Sequence, residues 1–540
     1  MNPTIKRDLV VAAIIAIAPI AASAKPSRAY AQTGAQFYVA TTGNDGGAGT
    51  EQAPWRTIQK AANTATAGAT VNVRGGTYHE QVTVRNSGSA ATGYITFQSQ
   101  PGETAILDAA SGVTMANGVG FFELVDRSYI VIKGFEIRGW KTTNASVLAI
   151  GIHVTGAANH VQLLNNKIHA IYNTNADGNA HGIGVFGTAA TAISDLVVDG
   201  NELWDLQLGN SESLVLNGNV RAFAVTKNKV HDNNNIGIDF IGFEGVCAGA
   251  GCIDQAREGI CSGNEIWNIT SATNPAYGGE MSADGVYVDG GRDLTVERNI
   301  VHETDFGIEL ASEHKGKSTS GVIVRNNFVY RSNSAGIAIG GYDTQRGSTQ
   351  NCTIVGNTLA ANDNKATGLG EIYVQFDTRN NVIANNIVHA GPRNLFILNE
   401  YTQNTGNTVD YNVYFSSAGA TASVWRWKDV AYTGWTSYRT ATGNDANSLF
   451  ADPLLTSISA TPPDLHLEIG SPAIDRGNSA YVSSGELDID GDARSQAGRV
   501  DIGADERSSP PMAVPAAGPW SLGALLLILL GRVARRAKAP

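Results

Sequence analysis

Charge is scarce in this chain: only 16% of its 540 residues are Asp, Glu, Lys or Arg, and the basic ones are outnumbered, 38 to 49, giving a formal net charge of −11. A nucleic-acid partner is excluded on that ground, because phosphates need a basic face. An acidic sugar polymer is not excluded, since a bound cation or local Lys and Arg can invert the field at one site. Long heptad repeats are missing, which removes a coiled coil. Cysteine is rare: Cys247, Cys252, Cys261 and Cys352 allow three pairings in an oxidising compartment. The first three fall in one stretch, which predicts a local disulfide among Cys247, Cys252 and Cys261. No His stands near them in a ligand pattern, so they do not read as a zinc site.

Glycine is plentiful, at 61 residues, alongside many Asn, Thr and Val. That composition suits short strands joined by tight turns. The length allows several domains, but a repeated solenoid can use most of it as one body.

An asparagine recurs through the middle of the chain: Asn166-Lys-Ile-His169, Asn201-Glu-Leu-Trp204, Asn228-Lys-Val-His231, Asn264-Glu-Ile-Trp267, Asn299-Ile-Val-His302, Asn327-Phe-Val-Tyr330, Asn357-Thr-Leu-Ala360 and Asn386-Ile-Val-His389. A short β-rich run precedes each, and a second strand follows it. After a polar turn a third strand opens with Gly and an aliphatic residue, as in Gly151-Ile, Gly182-Ile, Gly237-Ile, Gly285-Val, Gly307-Ile and Gly336-Ile, with Glu371-Ile-Tyr-Val and Asn394-Leu-Phe-Ile as variants. Three strands per repeat predict an all-β right-handed parallel β-helix of about ten or more coils. Alternation sends Ile238, Val286, Ile308 and Ile337 inward with Phe240, Val288, Leu310 and Ile339. The repeated Asn reads as a hydrogen-bonded turn ladder whose backbone takes the left-handed corner. Three residues on, the His, Trp and Tyr positions predict aromatic stacking along the helix rather than a metal site, because Trp and Tyr separate the histidines.

Phe37-Tyr-Val, Pro54-Trp-Arg-Thr-Ile-Gln-Lys-Ala-Ala62 and Val71-Asn-Val-Arg-Gly-Gly-Thr-Tyr-His-Glu80 resemble the opening of the pectate-lyase-like β-helix superfamily. The resemblance implies a short helix around residues 58–62 that plugs the open end of the solenoid. Residues 448–506, with Gly470-Ser-Pro-Ala-Ile-Asp475 and Val500-Asp-Ile-Gly-Ala-Asp-Glu506, resemble the choice-of-anchor module of exported β-helices. Asp488, Asp490 and Asp492 in it are alternate oxygen donors, but no EF-hand frame follows, so turn chemistry is the expectation.

At the N-terminus, Lys6 and Arg7, an apolar run over residues 9–22, and the small-residue sites Ala22-Ser-Ala24 and Ala29-Tyr-Ala31 predict a secretory signal peptide. At the other end a Pro/Ala-rich stretch (508–519) leads to an apolar run (520–530) too short for the roughly 20 residues of an unaided bilayer span. Arg532, Arg535, Arg536 and Lys538 follow, and the tail resembles the PEP/IPTL type of Gram-negative sorting signal, without its literal tetrapeptide. The expected organisation is a signal peptide (1–31), N-terminal cap and first coils (32–120), central β-helix (121–447), choice-of-anchor-like module (448–507) and sorting tail (508–540). Export to the cell surface, the outer membrane or the medium of a Gram-negative-type bacterium follows. The chain is expected to be a monomer that meets the membrane only through its tail before processing.

Outward positions of the third strands form a stripe bordered by the longest insertions, over residues 242–259, 268–283, 312–320 and 341–350. The stripe reads Asp239, Tyr287, Glu309, Ala338 and Tyr373, and two residues later Ile241, Asp289, Ala311, Gly340 and Gln375. Register, polar groups and flanking walls mark a binding face for a polysaccharide or oligosaccharide. Tyr287, Tyr342 and Tyr373 are expected to stack on sugar rings, with Glu313 and His314 also touching substrate. Asp239, Glu244, Asp284, Asp289 and Glu309 are candidate Ca²⁺ ligands, and no organic cofactor is expected. With Ca²⁺ on a uronic-acid carboxylate, Lys315 or Arg346 would take the C5 proton, which is the β-elimination the resemblance implies. A polysaccharide lyase of this kind, with Asp239, Asp289, Glu309, Lys315 and Arg346 catalytic, is the first expectation. An inverting glycoside hydrolase is the alternative, since Asp239 and Glu309, two coils or about 9–10 Å apart, lie near the carboxyl separation such enzymes use. A non-catalytic glycan-binding surface or adhesion protein is the third. The usual lyase motifs and the polygalacturonase set of paired Asp, His-Gly and Arg-x-Lys are both missing from the chain.

Overall fold

The computed structural model describes residues 34–109, 114–496 and 498–507. The expected signal peptide and sorting tail lie outside them. The chain winds as a right-handed parallel β-helix whose three sheets contain 13 strands each. One coil runs through Val161–Leu164, Lys167–His169 and Asn179–Gly187. All pairs within the three sheets are parallel except the closing hairpin of Val424–Trp427 with Val430–Thr433. The inward set named above is fully buried, Ile238, Val286, Ile308 and Ile337 stacking with Phe240, Val288, Leu310 and Ile339. Each such side chain contributes about 1.5–3 kcal/mol of burial. In the penultimate coil Ile372 pairs with Ile397, not Leu395, so Asn394-Leu395 is shifted two residues from the pattern read in the sequence.

The asparagine ladder runs unbroken through Asn166, Asn201, Asn228, Asn264, Asn299, Asn327, Asn357, Asn386 and Asn412. Each backbone N–H and side-chain amide donates to Oδ1 of the next Asn at 2.9–3.1 Å. The left-handed corner falls one residue earlier than expected, on Asn165, Lys227, Arg298, Asn326 and Asn385 (φ between 53° and 55°) and on Gly200, Gly263 and Gly356. The preceding residue turns the chain, which leaves the Asn side chain pointing into the corner to bond its neighbours.

His169, Trp204, His231, Trp267, His302 and Tyr330 form a continuous stack with ring centroids 4.0–6.1 Å apart, ending where Ala360 offers no ring. Glycine opens the third strands for lack of space. A Cβ on Gly237 would sit 2.6 Å from the Gly285 carbonyl oxygen, and one on Gly285 would sit 2.8 Å from that of Gly307 and against Val301. Gly285 and Val286 thus both face the core, and the residue before the glycine, Asp284, turns outward.

Helix α1 (Ile58–Thr64) closes the first coil with Ile58, Ala61 and Ala62 buried. Glu80 accepts from the Ile58 and Gln59 N–H groups at its N-terminus, where a carboxylate is favoured. At the far end Trp425 stacks on Tyr438 of helix α2 (Trp435–Thr442), centroids 5.0 Å apart. Among the described residues no helix is long and apolar enough to cross a membrane.

The described residues up to Glu506 form one compact unit. The stretch after Leu449 lies across the outer face of the second sheet: Leu465 and Ala504 pack with Phe328, Tyr330 and Ala360, and Leu467, Ala473 and Ile502 with Ile387 and Val413. Arg325 ties Glu486 to the coil at 2.6 Å. Asp488 accepts from the backbone N–H of Asp490, Asp492 and Glu506, which is the turn role expected of it.

The local disulfide joins Cys247 and Cys252, with Cα atoms 5.7 Å apart. Cys261 is not part of it. It lies on the strand Ile260–Ser262 with Val225 and Val296 as cross-coil partners and faces the core, 1% exposed, so strand alternation removes it from the loop.

Candidate functional site

The third sheet presents its outward row in the register Glu123, His153, Gly184, Val215, Asp239, Tyr287, Glu309, Ala338, Tyr373, Leu398. Asp239 and Glu309 are therefore two coils apart, with Tyr287 between. Asp284 turns outward in the middle coil, where the glycine after it reverses the alternation. Asp289 follows two residues beyond Tyr287. The loops fold over this row: Asp239, Asp284 and Asp289 are 2–3% exposed and Glu309 is 7% exposed.

Burial raises every carboxyl of the group. The Glu309 carboxyl is pushed up to about 7 against the lowering effect of its hydrogen bonds to Gln375 and Asp284. Gln375 Nε2 donates to Glu309 Oε1 at 2.6 Å. Asp284 is raised well above the usual carboxylate range by burial, then by Glu309 beside it and Asp239 one coil away. Asp239 is raised likewise by burial, then by Glu212, Asp289, Glu313 and Glu244. One buried oxygen on each of Asp239 and Asp284, Oδ1, has no hydrogen-bond partner. Unpaired buried carboxylates are costly, so these groups hold protons or a cation.

A second cluster stands at the mouth. Ligand atoms of Glu244, Asp289 and His314 lie within 4.8 Å of one another, and Asp289 Oδ1 accepts from the Glu313 N–H at 2.8 Å. Lys315 and Arg346 sit on the rim. Lys315 Nζ donates to Gln345 Oε1 at 2.9 Å, and the Arg346 guanidinium lies 4.3 Å over the Tyr342 ring and donates to the Glu313 carbonyl. Tyr342 is 44% exposed. Tyr373 donates its hydroxyl to Glu400 at 3.1 Å. Tyr287 is 5% exposed and packed against Ile236 and Ala311, so its ring faces are filled by protein and offer no sugar platform.

Four polar residues on or next to this sheet are not marked by the sequence pattern. Glu123 bonds His153 at 3.0 Å, and His181 Nδ1 meets the Glu212 carbonyl oxygen at 3.0 Å and its carboxylate at 3.6 Å. Burial pushes the His181 imidazolium down to about 4 and the Glu212 carboxyl up to about 8. Phe186 meets both imidazoles edge-on at 5.6 Å. His181 directly precedes Gly182-Ile183, as Asp284 precedes Gly285-Val286, and that position was the available signal.

Fold and groove together define a right-handed parallel β-helix with a loop-walled, carboxyl-lined face on its third sheet. Residues 150–359 and 261–433 match the family described as right handed beta helix region, and residues 37–200 match the Pel9A-like right handed beta helix region. The chain is 40% identical over 441 residues, 82% of its length and 92% of the relative's, to the uncharacterized protein YwoF of Bacillus subtilis (strain 168). It belongs to this right-handed β-helix family. A shorter likeness, 41% over 76 residues, 14% of this chain and 18% of the other, is to pectate lyase PEL9 of Emericella nidulans. Among solved structures, pectate lyase Pel9A is similar at 15% identity with a TM-score of 0.45, covering 88% of this chain and 97% of that one.

Proposed function

We propose that the protein cleaves a polysaccharide in the third-sheet groove, and that the carboxyl groups of Glu309 and Asp239 carry out the chemistry as an inverting glycoside hydrolase. The observation that carries this is the burial of Glu309, 7% exposed, which lifts its carboxyl to about 7 although Gln375 and Asp284 beside it act to lower it. Glu309 gives its carboxyl proton to the glycosidic oxygen as the bond to the anomeric carbon breaks. Asp239, two coils or about 9–10 Å away, takes a proton from the water that attacks the opposite face; burial and its acidic neighbours raise its carboxyl, so it acts in its ionised form, which a cation in the groove would favour. Asp284 beside Glu309 is raised further still and supports the Glu309 carboxylate once that proton has been given up. The charges that bear most on Asp239, Asp284 and Glu309 are acidic, which favours protons on the group.

A second reading is Ca²⁺-assisted β-elimination of a uronic-acid glycan, with Lys315 or Arg346 as base. The unpartnered Oδ1 atoms of Asp239 and Asp284 favour it, because hard oxygen donors of this kind suit Ca²⁺. Asp239, Asp284 and Glu309 would hold the ion, which would neutralise a substrate carboxylate. The likeness to pectate lyase PEL9 points the same way. Against it stands the occupation of both rim cations, Lys315 by Gln345 and Arg346 by Tyr342.

The proposal includes export, on the strength of the terminal sequence signals, and attachment at the cell surface by the C-terminal segment. The deciding experiment is a panel of uronic and neutral polysaccharides followed by reducing-end release and by ultraviolet absorbance, with and without Ca²⁺. New reducing ends without absorbance support hydrolysis; absorbance that needs Ca²⁺ supports elimination. Binding with no product would make the protein a glycan-binding surface protein and overturn both.

A further inference from the structure

Two loops and one strand converge at the mouth of the groove. Glu244 comes from the 242–259 loop, His314 from the 312–320 loop, and Asp289 ends the strand Asp284–Asp289. Their donor atoms fall within 4.8 Å of one another. His314 Nε2 is 4.0 Å from Glu244 Oε1 and has no hydrogen-bond partner, though the atom itself is buried. Asp239 adds an independent sign. It is 2% exposed, leaves Oδ1 unpartnered, and the charges acting on it are Glu212, Asp289, Glu313 and Glu244, all of them acidic. A buried carboxyl with an unpartnered oxygen, acted on by Asp289 and Glu244 of this cluster, is stabilised as a carboxylate by a cation bound between them.

We infer that Glu244, Asp289 and His314 form a binding site for a divalent transition-metal cation, Zn²⁺ or Mn²⁺, at the mouth of the groove. One imidazole nitrogen and two carboxylates suit such an ion, whereas Ca²⁺ takes oxygen donors alone. The donor set differs from the oxygen-only set of the second reading above, and the inference holds whichever bond the groove cleaves. Because the ligands come from separate loops, the ion ties the two walls together over the buried carboxyls. It also places positive charge where the groove is otherwise acidic, which lets an anionic or hydroxyl-rich glycan approach.

The test is calorimetric titration of the full metal-free chain with Zn²⁺, Mn²⁺ and Ca²⁺, each alone. One equivalent of Zn²⁺ or Mn²⁺ is expected, tighter than Ca²⁺, with a rise in thermal midpoint. His314→Gln and Asp289→Asn each weaken the transition metal by about tenfold or more. If a variant does not fold, the visible band of Co²⁺ bound to the wild-type chain reports the low-coordinate, mixed-ligand site. Absence of binding, Zn²⁺ or Mn²⁺ binding that His314→Gln leaves unchanged, or a preference for Ca²⁺ overturns the inference.

Discussion

The carboxyl groups of Asp284 and Glu309 lie beside each other on adjacent coils and act on each other's protons, and Gln375, two residues beyond Tyr373, donates to Glu309 Oε1 at 2.6 Å. A pair of carboxyls this close cannot both ionise readily, so one proton stays with the pair near neutrality. The arrangement is available only because Gly285 reverses the strand's alternation and turns Asp284 out.

That dependence gives the first prediction. Gly285→Ala pushes a methyl against Val301 and to 2.8 Å from the Gly307 carbonyl oxygen. A cost of about 1–3 kcal/mol is expected, read as a lower denaturant midpoint, together with a loss of glycan cleavage larger than the loss of folded protein.

The ladder supplies the second. Asn264 accepts from the Asn228 backbone and side chain and donates to Asn299 and to the Val225 carbonyl, all buried. Asn264→Ala strands several of these groups at once, and about 3 kcal/mol or more of destabilisation is expected. Chemical denaturation of the two proteins side by side measures it; a loss under about 0.5 kcal/mol, the size of an ordinary surface change, would contradict the ladder's role.

Stability should fall with rising pH. Burial lifts Asp445, under Tyr414 and Tyr438, to about 7, and Glu371, beside Asn362, to about 8. In the unfolded chain these groups ionise near 4. Between about pH 4 and pH 8 the folded chain therefore binds more protons than the unfolded one, and stability declines as pH rises through that window. Denaturant midpoints at pH 5 and pH 8 in chelator check it, and a higher midpoint at pH 8 would refute it.

The fold was legible because a solenoid repeats its constraints: the Asn, the Gly-aliphatic pair and the alternating Val and Ile recur at one register. Asp239, Tyr287 and Glu309 were placed in one row by the same logic. What the sequence could not supply was burial and direction. Tyr287 lies in the row but under the loops, and Cys261 alternates into the core although it follows the disulfide loop closely. His181 is not legible from alternation because Gly182 and Ile183 both face the core, which breaks period two and turns His181 outward, and Glu212 lies in the turn before the strand Leu214–Gly218, where alternation gives no direction. The Asn corner was misassigned by one residue for a related reason: backbone handedness and side-chain bonding sit on neighbours.

The most direct measurement of the central claim is the pH profile of reducing-end release by wild type and Glu309→Gln on a polysaccharide the groove accepts. Glu309 must be protonated to act, and its carboxyl is lifted to about 7. Wild-type activity is expected to fall as pH rises through about 7, and Glu309→Gln to lose about 10²–10⁴-fold in kcat while keeping the wild-type far-ultraviolet spectrum. Cleavage that persists at wild-type rate in Glu309→Gln, or that rises through pH 7 to 9 in the wild type, would contradict the account.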